Sequence, residues 1–276
     1  MNNNKALFDF YDEVKDELKF LIKSDVRIKI LMCLSDEEKN IAQLKREIGL
    51  TSSTILHGIY QLEEKDIIVR KSGNYALSKT GEIYQAKLLD MVKSVYALKN
   101  CGNIFLNHDI ECIPPELLKD LGSLENSRLV NSVATDILRP HKILLEYLQQ
   151  SRHIKHISSV LYSPNIKIIF SNLHENEVHL LLTREILDKI VEEISYSIIE
   201  KHISQGNLKL GIINDNTRIS FTLGDQFMSL GLYFQNGDYD LNNFLMSESK
   251  EALNWGNKLF KYHEELSTDF NELKIP

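Results

Sequence analysis

Residues Ser24 to Ser78 decide the fold, and they read SDVRIKILMCLSDEEKNIAQLKREIGLTSSTILHGIYQLEEKDIIVRKSGNYALS. Three runs in this stretch place apolar residues at three- and four-residue spacing, which is the period of a helix with one buried face. Two β-rich runs follow, and Ser72-Gly73 between them suits a tight hairpin turn. The stretch therefore predicts a winged helix-turn-helix, with three helices and a two-stranded wing.

Local signals mark the ends of the three helices. Ser24 is a favourable N-cap for the first helix, and Gly49 suits the left-handed end of the second. The third helix begins at Thr51 or Ser52. It contains Gly58, which costs about 1 kcal/mol of helix propensity relative to alanine. Gly58 therefore predicts a close approach to this helix, either by a neighbouring helix or by DNA.

The outer face of the third helix carries short polar side chains, and the wing tip carries cations. A recognition helix uses such side chains to contact base edges in the major groove. A cation or small donor on a wing meets the phosphate backbone or the minor groove. We therefore predict double-stranded DNA as the partner. The candidate DNA-binding residues are Lys45, Thr51, Ser52, Ser53, Thr54, His57, Tyr60, Gln61, Arg70, Lys71, Ser72 and Asn74.

Two other interpretations of the same pattern stay open. A winged helix can serve as a protein-interaction scaffold, in which case the outer face of residues 52–61 contacts protein. The chain could also be an unconventional phosphodiester-processing enzyme with a DNA-binding module. The sequence lacks the G-x-S-x-G, H-E-x-x-H, G-x-G-x-x-G and P-loop patterns. No motif therefore predicts a hydrolase, a metalloprotease, a dinucleotide-dependent enzyme or an NTPase. We expect no enzymatic activity, no cofactor and no metal site.

The charge differs between the two halves of the chain. The 276 residues are 43% hydrophobic and 26% charged, as in a globular protein long enough for two domains. Residues 19–89 carry 12 Lys and Arg against 9 Asp and Glu, whereas the whole chain has a net charge of −7. Binding of DNA by the mildly basic part should weaken as salt rises. No apolar run approaches the roughly 18 residues of a membrane span, so we expect a cytoplasmic protein without a membrane partner.

Cys33, Cys101 and Cys112 lack the C-x-x-C spacing, so the sequence predicts no disulfide framework. Cys33 falls on the apolar face of the first winged-helix element, where a small buried thiol is expected. A redox role for Cys101 and Cys112 stays open.

The sequence predicts three parts: a winged helix-turn-helix domain over residues 1–80, a joining helix over 81–106, and an α/β effector-sensing domain over 107–276. Apolar residues recur with few helix breakers from Thr80 to Leu98, which predicts a long helix. Such a helix favours a homodimer, whose two recognition helices would match DNA half-sites about 34 Å apart. The alternative is that this helix packs only on the second domain.

The remaining sequence alternates between β-rich and amphipathic runs, which is typical of an α/β domain with a mixed sheet. Helices are predicted at 128–148, 184–202 and 249–266. Strands are predicted at 157–162, 166–170, 178–182, 208–213, 219–223 and 228–234.

Ligands of open α/β sheets sit beyond the carboxyl ends of the strands. Polar side chains at those ends could hold a small-molecule effector, with Arg184 contacting an anionic group. Thr183 is equally suited to cap a helix, and Asn214-Asp215 to form a turn. The candidate effector-binding residues are Ser163, Thr183, Arg184, Asn214 and Asp215.

Three segments carry a resemblance to a known family: Phe20 to Ile68 within the opening stretch, HDIECIPPELLKDLG at His108 to Gly122, and SKEALNWG at Ser249 to Gly256. The chain resembles archaeal winged-helix transcriptional regulators of methanogens, with an ArsR-like DNA-binding half and a methanogenesis-regulatory-protein middle domain. The resemblance implies a regulator whose second domain is similar to the phospholipase D fold. Phospholipase D enzymes carry H-x-K-x-x-x-x-D, and here Val160 stands where the aspartate is required after His153-Ile154-Lys155. The resemblance therefore implies sensing rather than catalysis.

Overall fold

The computed structural model describes residues 3–171, 173 and 177–270. The chain divides into two compact units, Met1–Val92 and Lys93–Pro276. Among the described residues, no helix has both the length and the apolar content that crossing a membrane requires.

The first unit is a winged helix-turn-helix preceded by a long helix. The opening stretch of sequence predicts the winged helix-turn-helix but not the long helix. Apolar side chains from its helices and hairpin form one core. Its elements are α1 (Asn3–Ile22), α2 (Asp25–Cys33), α3 (Ile41–Ile48), α4 (Ser52–Glu63), β1 (Ile68–Lys71), β2 (Asn74–Leu77) and the start of α5 (Lys79–Asn107).

The predicted helix ends are confirmed. The Ser24 side chain accepts a hydrogen bond from the Arg27 amide at the start of α2. Gly49 ends α3 with a φ of 74°, in the left-handed region where a side chain is unfavourable. Thr51 is the N-cap of α4, and its hydroxyl accepts from the Thr54 amide.

The close approach predicted at Gly58 is made by a helix. A Cβ added at Gly58 would lie 2.9 Å from Ile30 Cδ1 and 3.1 Å from Val26 Cγ1, both on α2. The missing side chain lets α4 pack directly on α2. Gly58 therefore contributes to the core of the unit rather than to the outer face of α4.

Helix α1 was not predicted from the sequence. Large apolar residues lie among its polar and charged ones. Of its large apolar residues, Leu21 is buried, whereas most of the others are exposed to solvent. The exposed ones are Leu7, Phe8, Phe10, Tyr11, Val14, Leu18 and Ile22.

The second unit is built on a mixed sheet, as predicted, and helices lie on both faces of the sheet. Its helices are α6 (Pro115–Lys119), α7 (Arg139–Gln150), α8 (Ser163–Ser171), α9 (Arg184–Ile194), α10 (Tyr196–Ser204) and α11 (Lys250–Glu265). Its strands are β3 (Arg128–Asn131), β4 (His153–Ser158), β5 (Glu177–Leu182), β6 (Leu208–Ile212), β7 (Ile219–Leu223), β8 (Met228–Leu232), β9 (Asn243–Ser247) and β10 (Thr268–Asp269).

In the described residues, the strand order of this sheet is β10-β6-β5-β4-β7-β8-β9-β3. Strands β4, β5 and β6 are parallel, and the other pairings are antiparallel. Helices α7 to α10 contribute to the core on one face, and α6 and α11 to the core on the other. Because both faces are covered, β8 is buried along its whole length.

Several element predictions in this unit were wrong. The run 166–170 is not a strand but lies in α8, where Ile166, Ile169 and Phe170 are buried at helical spacing. A short apolar run has no period that separates strand from helix. The first predicted strand lies earlier, at β4, and the predicted helix 128–148 begins as strand β3. The predicted helix 184–202 is divided between α9 and α10 at Ser195, whose φ is 72°.

Candidate nucleic-acid interface

The outer face of α4 presents polar side chains near the N-terminal end of the helix. Thr51, Ser53, Thr54, His57 and Tyr60 are exposed, and Ser52 is half-buried. The Thr51 hydroxyl lies 3.0 Å from that of Ser53 and 2.8 Å from that of Thr54. The first amides of a helix favour an anion such as phosphate. This end of α4 therefore presents backbone amides and hydroxyl groups of the types that contact phosphates and base edges.

Gln61 is already held by other side chains, which the sequence did not indicate. Its Oε1 accepts a hydrogen bond from Arg27 Nη1 at 2.7 Å, and its Nε2 lies 3.1 Å from His57 Nε2. Arg27 also donates to the Phe20 carbonyl at 2.6 and 2.9 Å, and its guanidinium stacks on the Phe20 ring. Arg27 thus joins the end of α1 to α4 through Gln61. Gln61 therefore helps to hold α4 in place as well as lying on its outer face.

The wing turns at Ser72 and Gly73, with φ values of 47° and 90°. Both values are positive, as a two-residue hairpin of the predicted type requires. Ser72 is exposed at the tip, and half-buried Asn74 donates to Glu38 at 3.1 Å.

The two wing cations differ in their surroundings. Arg70 donates to the Tyr75 hydroxyl at 2.9 Å, and its Nε lies 3.9 Å from Glu63. Lys71 is exposed and has no ion pair within the part of the chain that the structure describes. Lys45 is likewise exposed, in the last turn of α3. Lys71 and Lys45 are therefore better placed than Arg70 to contact phosphate.

The predicted effector residues serve local contacts in the second unit. The Arg184 amide donates to Asp215 Oδ1 at 2.9 Å, so Asp215 caps α9, and Arg184 Nε lies 3.1 Å from Asp188. Asn214 Oδ1 accepts from the Asn216 amide at 2.8 Å, closing a turn. The structure brings Thr183, Arg184 and Asp215 together at this helix start.

Ser163 is placed elsewhere, since it starts α8 and donates to Glu193 at 2.5 Å. Buried Thr183 is the N-cap residue of α9 without a side-chain capping bond. Effector binding by the five residues stays a prediction, because the caps and turns account for most of their contacts.

The thiols of the second unit lie in environments that suppress reactivity. Burial raises the pKa of Cys101, whose Sγ lies 3.5 Å from the Ser127 carbonyl. Burial, with a smaller effect from Asp109, raises the pKa of Cys112 to about 12. Oxidation proceeds through the thiolate, so neither site favours a redox switch.

The sequence pattern that begins like a phospholipase D motif forms no cluster. The exposed His153 ring lies 2.7 Å from Asp225, and Lys155 donates to Asn257 at 2.6 Å. Each side chain is thus engaged with a different neighbour.

Two family models match the chain. The model of the N-terminal domain of the methanogenesis regulatory protein FilR1 matches residues 15–104, and the model of its middle domain matches residues 137–266. The chain belongs to the FilR1 family. The predicted resemblance is confirmed for the first and third segments on which it rests, whereas His108 to Gly122 lies between the two matches.

The methanogenesis regulatory protein FilR1 of Methanothrix harundinacea (strain 6Ac) is 29% identical to this chain over 268 residues, or 96% of this chain. The FilR1-family chain described here spans 60% of the length of that relative.

Solved structures similar to this FilR1-family chain include TrmBL2, described as an archaeal chromatin protein. It is 14% identical, with a TM-score of 0.42, over 93% of this chain and 99% of its own. The phospholipase D family member Nuc from Salmonella typhimurium is 8% identical, with a TM-score of 0.37, over 52% of this chain and 97% of its own. Both TM-scores lie below 0.5, so the fold is described from the helices and strands of this chain alone.

Proposed function

We propose that this chain is a sequence-specific DNA-binding transcriptional regulator that acts as a homodimer, with a second unit that senses a small molecule or a partner. The observation that carries the proposal is the outer face of α4. Hydroxyl and imidazole groups are exposed there on a helix whose opposite face is buried in a winged-helix core. Lys71 is exposed beside the turn of the wing, where a lysine can contact the phosphate backbone of DNA. Membership in a family of regulatory proteins supports the same function.

The roles of these residues predict two kinds of loss. Replacing Ser53 by alanine should lower the preference for the cognate site by about five- to tenfold, because a hydroxyl contact to a base is lost. Replacing Lys71 by alanine should weaken cognate and scrambled DNA by similar factors and reduce the salt slope by about one, because a phosphate contact is lost. Fluorescence anisotropy against the chain's own upstream DNA and a scrambled duplex, at several salt concentrations, measures both.

The matched control is Lys167→Ala, which removes an exposed lysine from the second unit and should change neither affinity. Equal losses of preference from Ser53→Ala and Lys71→Ala would contradict the assigned roles. Equal and weak binding of both duplexes by the unmodified chain would favour the protein-interaction scaffold.

The homodimer is supported by the exposed face of α1. Leu7, Tyr11, Val14 and Leu18 follow the spacing of a helix seam, and they are 60%, 54%, 46% and 43% exposed. A single helix with so little buried surface is marginal in water. A symmetric dimer places the same face on both copies, so the seam of a second copy is a self-complementary cover. Exposed Met91, Val95 and Leu98 form a further apolar stripe on α5.

Replacing Tyr11 and Val14 together by glutamate should weaken dimerisation at least 100-fold, because charged groups would be buried in the seam. Analytical ultracentrifugation over a range of protein concentrations measures the change. Lys5→Glu alters the net charge by the same amount on the opposite face of α1 and should leave the dimer intact. A monomeric unmodified chain, or equal effects of both variants, would refute the α1 interface.

A further inference from the structure

The second unit contains a small chamber with a partly polar wall. It lies where the sheet meets α7 and α8, and its volume of about 10 Å³ leaves room for one water-sized molecule. The polar groups that line it come from His141, His156, Ser158, Tyr162, Asn165, Ser220 and Tyr239.

Two of these side chains have buried polar atoms that make no hydrogen bond of normal geometry. His141 is 3% exposed and Asn165 is 6% exposed. Neither ring nitrogen of His141 makes a hydrogen bond of normal geometry, and the same holds for Asn165 Oδ1. An unsatisfied buried polar group costs about 1–3 kcal/mol, and folded proteins retain few of them. Both side chains line the same chamber, so a molecule inside it is a candidate partner for both.

The chamber carries no formal charge at neutral pH. Its lining, all within the described residues, contains no Lys, Arg, Asp or Glu. Burial lowers the pKa of His141, against a smaller opposing effect of the Leu241 carbonyl. Burial also lowers the pKa of His156 to about 4. A charged ligand would therefore enter without a compensating charge, which is costly in a buried site.

The inventory of donors and acceptors specifies the ligand further. A neutral imidazole offers one N–H donor and one nitrogen acceptor, and an amide oxygen accepts. The His141 ring packs against Tyr162 in a tilted arrangement, with ring centroids 4.4 Å apart. A molecule that satisfies His141 and Asn165 must thus both donate and accept hydrogen bonds.

We propose that this chamber is a ligand site for a small uncharged molecule that carries both a donor and an acceptor. The half-buried residues Val160 and Tyr162 form its rim, and they are the side chains that must move to admit more than one water-sized molecule. The site supplies the sensing role of the second unit. That role rests on the proposed function, whereas ligand binding by the chamber does not.

A route from the chamber to α5 is present in the chain. Tyr239 lines the chamber, and the next residue, Asp240, is 1% exposed and lies 3.0 Å from His108 Nε2, just after the end of α5. A ligand that displaces Tyr239 therefore acts next to the contact that holds this helix end.

Three planar probes of nearly equal size test the proposal: neutral formamide, anionic formate and cationic formamidinium. Side-chain NMR spectra of ¹⁵N-histidine-labelled protein report the rings of His141 and His156 without any DNA. Formamide should give a saturable shift of these rings, and formate and formamidinium should bind at least tenfold more weakly. No saturable shift, or the same shift from all three probes, would overturn the proposal and leave the chamber to ordered water.

Variants separate the chamber from the rest of the unit. His141→Phe keeps an aromatic ring but removes its donor and acceptor, and Asn165→Leu removes the unpartnered oxygen. Each variant should abolish the formamide shift of His156. His153→Phe changes an exposed ring outside the chamber and should retain it. Unchanged formamide binding in both chamber variants would overturn the site. A failure of DNA binding would leave this result unaffected, so the two proposals fail separately.

Discussion

Replacing Asp240 by alanine is expected to lower the free energy of unfolding of the second unit by about 3–5 kcal/mol, because a buried carboxylate with three hydrogen-bond partners is lost and those partners are left without it. Asp240 Oδ2 lies 3.0 Å from His108 Nε2 and accepts from Asn243 Nδ2 at 2.7 Å, and Oδ1 accepts from the Asn242 amide at 2.8 Å. The alanine variant leaves the buried His108 ring, the half-buried Asn243 side chain and the Asn242 backbone amide without this partner.

The His108 ring is held from both sides. His108 Nδ1 lies 2.7 Å from the Ile104 carbonyl, and its other ring nitrogen faces the Asp240 carboxylate. The alanine variant therefore leaves one of these two ring nitrogens without its oxygen partner.

Trp255 provides the measurement. It is the one tryptophan of the sequence and is fully buried in the second unit, so its fluorescence during urea unfolding reports on this unit. Asp238→Ala changes an exposed carboxylate in the same loop and should cost less than about 1 kcal/mol. A loss of that small size for Asp240→Ala would show that the buried pair contributes little.

Acid should destabilise the second unit, and His156 should account for roughly 3 kcal/mol of the effect. Burial lowers the pKa of His156 to about 4, with a small opposing effect of the Phe221 backbone. The ordinary histidine pKa is about 6.5, and the difference of roughly 2.5 units corresponds to roughly 3 kcal/mol. Above pH 6.5 both states hold a neutral ring and stability does not change through this group. From pH 6.5 down to about 4, the unfolded ring takes up a proton that the folded ring excludes, so stability falls.

Urea unfolding at pH 7 and pH 4, followed by Trp255 fluorescence, measures this fall. His156→Gln replaces the ring by a neutral amide and should remove roughly 3 kcal/mol of the pH dependence, although the variant is less stable at pH 7. His153→Gln alters a solvent-exposed ring and should keep the full dependence. The same pH dependence in all three proteins would show that His156 takes up its proton while the unit is folded.

The winged helix could be predicted because its signals are local. Caps at Ser24 and Thr51, the left-handed Gly49 and the Ser72-Gly73 turn each act within a few residues. The contact between Gln61 and Arg27 spans 34 positions, and no spacing rule indicates it.

The second unit was harder to predict for two physical reasons. The apolar run in α8 is too short for its period to separate helix from strand. The chamber depends on His141, His156 and Asn165 meeting from α7, β4 and α8. Each of these residues taken alone has the appearance of an ordinary core or surface position.

The exposure of α1 links its folding to the amount of protein present. Because the monomer buries almost only Leu21 of this helix, a second copy that covers its seam would supply most of the free energy that keeps it helical. Dissociation of the proposed dimer and unwinding of α1 would then be one equilibrium, so helix content would rise with chain concentration. Far-ultraviolet circular dichroism would then record the assembly of the regulator.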